Sequence, residues 1–371
     1  MYDVAIIGAG PAGATLARLL GAELRVLLVD RRSLEWPPLS DDLEKCCGGL
    51  LAPAAQKELA RQGLGVPGAV ASGPQLFAVR CEDGDSGLRR LYSRSYVNVD
   101  RDLLDRWLVS LVGPQVDRGF GWTARSVEQG DDGAMVRFDT PGGGSVSALA
   151  RMVVGADGAA SIVRRGCFPH VPSAAGYVAV QGQFESANTD SHYGAFFDSS
   201  ITDHYGWTIP KSGTTLVGAA FPRRQGVPDL YEAFVRRVRR SGFALGTELG
   251  RSSSLVSRPT TPAQLFLGSD RVALLGEAAG LISPSSAEGI SYALRSAASL
   301  AEALVSGTNG ALYRYRMLAA PLVLEVCVKM VKARLIGSPV MRAAVLRSGA
   351  GALIQDSTPG YRTMLGEILT P

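Results

Sequence analysis

The opening segment of this chain constrains its fold more than any other part. Residues 3–7 (DVAII) form a short apolar run suited to a buried parallel strand. Gly8-Ala9-Gly10-Pro11-Ala12-Gly13 follows, then ATLARLL with helical apolar spacing, then an apolar run from Arg25 that closes on Asp30. Strand, glycine turn, helix, strand and acid in that order predict a βαβ unit around a dinucleotide. Gly8 permits the tight turn, Gly10 lets a pyrophosphate approach the backbone, and Gly13 lets helix and strand pack closely. The helix N-terminus offers unpaired N–H groups and a positive dipole end to the phosphates. Asp30 can accept hydrogen bonds from adenosine ribose hydroxyls. At this point NAD and FAD both remain open.

The rest of the composition mainly excludes. A chain of 371 residues, 46% hydrophobic and 19% charged, has material for two or three folded domains. The net charge of +4 rests on 38 basic residues, nearly all arginine, in blocks no longer than two and interleaved with acids. No duplex-binding face and no nucleic-acid partner are expected. Five cysteines (Cys46, Cys47, Cys81, Cys167, Cys327) form no disulfide framework and point to a reducing, cytoplasmic setting. The start MYDVAIIGAG carries no basic leader, and no apolar stretch approaches the ~18 residues of a membrane span. The three histidines lie in no zinc-binding spacing, so no metal is expected. GxSxG and the Gly-Lys of a P-loop are both absent from the sequence.

Three further segments decide the cofactor. Asn98-Val-Asp-Arg101-Asp-Leu-Leu-Asp105 comes first, then RMVVGADGAASIVRR over 151–165 with Asp157-Gly158. RVALLGEAAGLISPSSAEGISYAL over 271–294 carries Gly276-Glu277, Pro284 and Gly289-Ile290. With GAGPAG, these elements resemble the FAD-dependent para-hydroxybenzoate-hydroxylase superfamily, which holds aromatic hydroxylases, halogenases and geranylgeranyl reductases. The resemblance covers roughly 1–170 and 260–305. It implies FAD held by Gly8, Gly10, Pro11, Ala12, Gly13, Asp30 and Arg31, with Arg101, Asp157 and Gly158 at the pyrophosphate. Gly276 and Glu277 would lie beside the ribityl chain, with Pro284, Gly289 and Ile290 bordering the isoalloxazine ring. Glu277 stands where the family usually has Asp. From the residues alone, Ser285-x-x-Glu288 predicts a capping box opening a helix, and so a positive helix end after the proline loop.

Two segments bear on the chemistry. Lys45-Cys46-Cys47-Gly48-Gly49-Leu50 is similar to the Lys-x-Cys-Gly-Gly segment of geranylgeranyl-reductase-type flavoproteins. Tyr205-Gly-Trp207-Thr-Ile-Pro210-Lys211 is similar to their Tyr-x-Trp-x-Phe-Pro-Lys, with Ile209 replacing Phe. Indole halogenases carry a comparable Trp-x-Trp-x-Ile-Pro, but Lys57, on an expected surface helix, is no equivalent of their catalytic lysine. Tyr205 and Trp207 alternate along a strand, so both rings face one side, either as a substrate wall or as sheet core. Cys47 is the better candidate of the cysteine pair for a proton donor; a buried small residue or a plain glycine turn are the other readings.

Three functions follow. The first is an FAD-dependent reductase of carbon–carbon double bonds in an isoprenoid or other apolar substrate, with Cys47, Tyr205 and Trp207 at the reacting site. The second is an FAD-dependent monooxygenase hydroxylating an aromatic small molecule, which needs a dry cavity but no dedicated side chain. The third is a flavin-binding scaffold without turnover. No second GxGxxG is visible, so NAD(P)H as reductant would visit a shared cleft, or another electron donor would serve.

The expected fold is α/β: a three-layer Rossmann-like FAD-binding domain, an inserted, mainly antiparallel substrate sheet, and a helical C-terminal tail. The expected division gives the FAD-binding part residues 1–75, 101–170 and 266–308. The substrate domain takes 76–100 and 171–265, and the tail 309–371. Within the tail, residues 321–347 mix apolar positions with Lys329, Lys332, Arg334, Arg342 and Arg347 against one acid, Glu325. Such a segment can pack on its own domain or lie on an anionic membrane.

Overall fold

Continuous apolar runs become the centre of a parallel sheet, and alternating ones become a second, antiparallel sheet. The computed structural model describes residues 1–34, 47–186 and 192–353. In chain order it contains β1 (Tyr2–Ile7), α1 (Pro11–Leu20), β2 (Val26–Asp30), β3 (Leu50–Leu51), α2 (Pro53–Arg61), β4 (Leu76–Asp83), β5 (Arg89–Asn98) and α3 (Arg101–Ser110). Next come β6 (Asp117–Phe120), β7 (Thr123–Gln129), β8 (Ala134–Asp139), β9 (Ser145–Gly155), α4 (Ile162–Cys167), β10 (Ala175–Glu185), β11 (His192–Asp198) and β12 (Thr202–Lys211). The series ends with β13 (Thr214–Pro222), α5 (Val227–Arg240), β14 (Glu248–Arg258), β15 (Gly268–Ser269), β16 (Val272–Leu274), α6 (Ile290–Leu304), α7 (Ala311–Gly337) and α8 (Pro339–Ser348).

The first sheet runs β15-β16-β9-β1-β2-β6, and the stretch from β16 to β6 is parallel. Val4, Ala5, Ile6, Val26, Leu28 and Val29 are fully sealed, as strands covered on both faces must be. β9 is long enough to serve twice. Its first half pairs antiparallel with β8, and its second half pairs parallel with β1 and β16. Helix α1 packs on α3 and α6, and α6 in turn carries α7.

The second sheet runs β14-β10-β13-β12-β11-β4-β5-β3 and is antiparallel except where β11 meets β4. Alternation along β12 sends Tyr205, Trp207 and Ile209 to one face, where they cluster with Leu76, Tyr177 and Leu216. The other face packs on α5 through Phe234, Tyr231 and Val238. Gly206 is required there: a Cβ on it would stand 2.2 Å from the Phe234 ring.

The C-terminal helices are tied down by charge as well as by packing. Arg342 of α8 donates from Nε to the Asp83 carboxylate at 2.9 Å and also pairs with Asp85. Helix α7 carries Pro321 in its interior and buries Leu312, Tyr315, Leu322, Val326 and Met330.

One local expectation is overturned. Ser285 and Glu288 do not form a capping box, because α6 begins at Ile290 with Gly289 as its N-cap and no side chain of Gly289 to accept. Ala287 at φ 49 turns the backbone before the helix starts, which leaves Glu288 outside it. From there the Glu288 carboxylate accepts from the Ser291 amide at 2.7 Å and from the Ser291 hydroxyl at 2.6 Å. The N-terminus of α6 is therefore capped by an acid, but from a different position and by a different geometry.

Candidate active site

The glycine turn is built by contacts that only glycine tolerates. Gly8 takes φ 101, and a Cβ on it would lie 2.5 Å from the Ala156 carbonyl oxygen. A Cβ on Gly13 would lie 1.8 Å from the Gly8 carbonyl oxygen, so α1 sits directly on the end of β1. Gly10 differs: as N-cap of α1 it has extended backbone, and a Cβ would meet nothing within 4 Å. Pro11 opens the helix, and no side chain caps it. The first-turn amides therefore face the open side of Gly10. Pro11 and Ala12 are themselves buried against the first sheet.

Around this turn the acids are shared more widely than the sequence indicates. Asp30, expected at a ribose, accepts from the Ala9 amide at 2.8 Å and from Arg32 at its backbone amide, Nε and Nη2. These fill the four acceptor positions of a carboxylate. Arg31, expected in the site, is exposed, whereas the neighbouring Arg32 turns inward. Arg32 also donates to the sealed Asp105 at 3.1 Å, and Arg101 donates to the other oxygen of Asp105 at 2.8 Å. Burial works against the charge on both arginines, yet Asp105 and their further partners raise both pKa values. The Arg101 guanidinium also lies close enough to the Cys47 thiol for the two to interact electrostatically. A line of alternating charge thus runs Asp30, Arg32, Asp105 and Arg101, and Cys47 lies beyond its last member.

Asp157 accepts from the Ile162 and Val163 amides through Oδ2, which starts α4, while its buried Oδ1 has no protein partner. Burial raises its pKa against these hydrogen bonds. Beside it, Gly158 takes φ 73 and faces open space. Glu277 places an oxygen 2.6 Å from the Ser257 amide at the end of β14. Gly276 takes φ 51 and donates to the Ser296 hydroxyl, which ties the turn to α6. Pro284, Gly289 and Ile290 lie on one loop and the helix end after it, braced by the Ser283 amide donating to the Glu288 carbonyl.

The two segments singled out for chemistry meet each other. Lys45 and Cys46 lie outside the described residues, but the Cys47–Gly49 turn lies on the C-terminal half of β12. A Cβ on Gly48 would stand 2.3 Å from Ile209 Cδ1, and one on Gly49 would stand 3.0 Å from Lys211 Nζ. Lys211 donates to the Asn98 side-chain oxygen at 2.5 Å and to the Val99 carbonyl at 2.8 Å. Burial pulls its pKa down to about 8. Trp207 donates from Nε1 to Gln181 at 3.0 Å, and its indole lies over Gly218, where a Cβ would come 2.5 Å from Cε2. The Tyr205 hydroxyl donates at 2.7 Å to the Ser286 carbonyl of the proline loop and accepts from Tyr193 at 3.1 Å. Burial pushes the Tyr205 pKa up, so the phenol stays protonated. Lys57 is exposed on α2, far in character from this cluster.

A cavity of about 220 Å³ lies between the end of β14 and α7, lined by Asp203, Arg258, Thr260, Met330 and Arg334 among others. A smaller hollow that shares Asp203 and Arg258 reaches Pro284, Ser285 and His204. Among the described residues no group of acids, histidines and cysteines could hold a metal ion.

Sequence reasoning missed Arg32, Gln181 and Tyr193. Only Arg32 had a usable signal, as a second basic residue beside Asp30; the other two are marked by no spacing.

The residues present fit FAD. Bare backbone at Gly10 and Gly158 leaves room for phosphates, and the orphaned Asp157 Oδ1 is an acceptor in want of a hydroxyl or amide. The FAD binding domain family matches residues 1–37. The fold is similar to a geranylgeranyl bacteriochlorophyll reductase-like protein from Thermoplasma acidophilum, at TM-score 0.78 and 18% identity over 99% of this chain and 95% of that one. It is also similar to PqsL, a probable FAD-dependent monooxygenase from Pseudomonas aeruginosa, at TM-score 0.68 and 20% identity over 93% and 99%. The opening segment is thus that of an FAD-binding domain, and the fold of the whole chain is the one these two proteins share. Protein CbrA of Escherichia coli is 36% identical over 354 residues, 95% of each chain. This chain belongs to the CbrA family.

Proposed function

We propose that this protein reduces carbon–carbon double bonds in an isoprenoid or other apolar substrate. The observation that carries the reading is the seating of the Cys47–Gly49 turn on β12, which gathers a thiol, Arg101 and the Tyr205–Trp207 face at one place. On this reading Gly8, Gly10, Pro11, Ala12, Gly13, Arg31, Arg101, Asp157, Gly158, Gly276, Glu277, Pro284, Gly289 and Ile290 hold FAD, while Asp30 fixes Arg32 and the Ala9 amide of the glycine turn. Reduced FAD, when bound, supplies a hydride. An isolated alkene accepts a hydride only if a proton arrives at the other carbon, and Cys47 holds that proton at Sγ. Arg101 orients the thiol. The Tyr205 and Trp207 rings exclude water and lay the apolar substrate flat. NAD(P)H or another electron donor restores the reduced cofactor.

The buried aromatic face equally suits a planar ring, and this favours the second reading, hydroxylation of an aromatic small molecule. Anaerobic mixing of the reduced holoprotein with geranylgeranyl diphosphate separates the two. The reductase reading expects the flavin absorbance to return without oxygen, and a loss of roughly 10²–10⁴-fold in that rate for Cys47→Ala. Flavin that reoxidises only on admission of oxygen overturns it, and a hydroxylated aromatic product formed with one oxygen consumed per NAD(P)H establishes the second.

A further inference from the structure

Helix α7 is apolar on two opposite faces, and only one of them is covered. At about 100° per residue, Leu312, Tyr315, Ala319, Leu322, Val326, Met330 and Ala333 face the protein and are buried. Tyr313, Met317, Leu324, Val328, Val331 and Leu335 fall within an arc of about 60° on the opposite side. They are exposed, Leu324 at 65%, Val328 at 62% and Val331 at 57%. This stripe is about 33 Å long at 1.5 Å per residue. Helix α8 adds Val340, 77% exposed, with Met341 and Val345. Single exposed apolar residues are ordinary, but a continuous stripe of this length is not.

The charges beside the stripe select what covers it. Arg316 and Arg334 flank it on one side and Lys332 on the other, all three exposed. Arg347 on α8 is exposed as well. Between residues 311 and 353 the single acid is Glu325, and it is taken up by Arg295, Lys329 and Tyr292. Partial burial, and then repulsion from Arg94 and Lys329, lowers the Lys332 pKa. A second copy of the chain seated on the same face would set these cations against their own equivalents. An anionic surface would relieve them.

We infer that the exposed face of α7, continued by α8, docks on the surface of an anionic lipid bilayer. The helix lies in the plane of the interface, with Leu324, Val328, Val331 and Leu335 among the acyl chains and Arg316, Lys332 and Arg334 at the headgroups. It does not cross: among the described residues no helix is long and apolar enough to span a membrane. The cavity lined by Met330, Ala333, Arg334 and Gly337 lies near the C-terminal end of α7 on its covered side, across the helix from the stripe. The inference stands independently of which flavin reaction the protein catalyses.

The test is co-sedimentation of the full-length holoprotein with vesicles of phosphatidylserine and phosphatidylcholine, at about 1:3, and with phosphatidylcholine alone. The expected result is binding to the anionic vesicles that weakens with salt, little binding to the neutral ones, and a roughly tenfold or greater loss of partitioning for Leu324→Glu/Val328→Glu/Val331→Glu. The triple variant must keep the far-ultraviolet dichroism and flavin spectrum of the wild type. Lys332→Glu/Arg334→Glu, which leaves the stripe intact, should lose anionic binding by a similar factor. Wild-type protein that stays in the supernatant with both vesicles, or partitions no better than the triple variant, overturns the inference. So does a wild-type dimer that the triple variant splits, which would give the face to a second copy. Proteolysis that trims residues 354–371 more readily in the triple variant than in the wild type would give it to the chain's own end.

Discussion

Gly10 and Gly13 are three residues apart in one motif, and the structure assigns them separable consequences. An alanine at position 13 would put its Cβ 1.8 Å from the Gly8 carbonyl oxygen and 3.2 Å from Ile6 Cγ2. Ordinary contact is near 3.4 Å, so α1 must move off β1 by more than about 1 Å, against backbone that packing holds on both sides. Overpacking of that kind costs about 1–3 kcal/mol, and here the upper end applies because the obstacle is main chain. An alanine at position 10 meets nothing within 4 Å, and its backbone at φ −69 and ψ −170 suits any residue. It should leave the apoprotein unchanged or more stable by about 0.4–1 kcal/mol, because it narrows the unfolded ensemble. Its Cβ, however, occupies the space through which a pyrophosphate oxygen reaches the α1 amides. Losing one hydrogen bond to a charged oxygen is worth about 1.5–3 kcal/mol, or a ten- to hundredfold weaker FAD. Urea denaturation of the apoproteins and fluorescence titration with FAD measure the two quantities. Wild-type FAD affinity in Gly10→Ala would refute the placement of the pyrophosphate, and wild-type stability in Gly13→Ala would refute the contact between helix and strand.

Arg342→Ala leaves the Asp83 carboxylate, which is fully buried, without its cation, and should destabilise the protein by about 3–5 kcal/mol in chemical denaturation. His204 is buried, and burial, helped by repulsion from Arg258, brings its pKa down to about 3 from 6.5. Between those values the unfolded chain takes up a proton that the native one refuses, so stability falls as pH falls. From pH 7 to pH 5 the fall should be about 2 kcal/mol smaller in His204→Phe than in the wild type. Lys211, brought down to about 8 from 10.5, works in the opposite range. The native state sheds its proton first, so the wild type gains about 2 kcal/mol over Lys211→Met as pH rises from 7 to 10, as measured by urea midpoints.

What the sequence discloses is what is local. The β1–α1–β2 unit follows from apolar runs and glycines that lie within thirty residues of one another, and Gly8 and Gly13 each act on backbone a few positions away or on the neighbouring strand. The α/β fold class follows from the same signals repeated along the chain. What the sequence conceals is contact at a distance. Arg32 matters because Asp105 lies beneath it, 73 positions along, and Gly48 because Ile209 lies against it. The failed capping box is different, since its spacing is local and correct. Only the turn at Ala287, a residue type with no preference for φ 49, moves the helix start to Ile290. In α7 the mixture of apolar and basic residues reads as one amphipathic helix, whereas the structure divides the apolar positions between two faces.

The indole of Trp207 rests on a strand position that has no side chain, Gly218. How far that ring stands out from its sheet is therefore set by its neighbour across the strand pair. A methyl group there would have to push the indole off its seat and away from the Gln181 oxygen that holds it. The posture of this indole is thus fixed by the absence of a side chain on the neighbouring strand and by one amide oxygen.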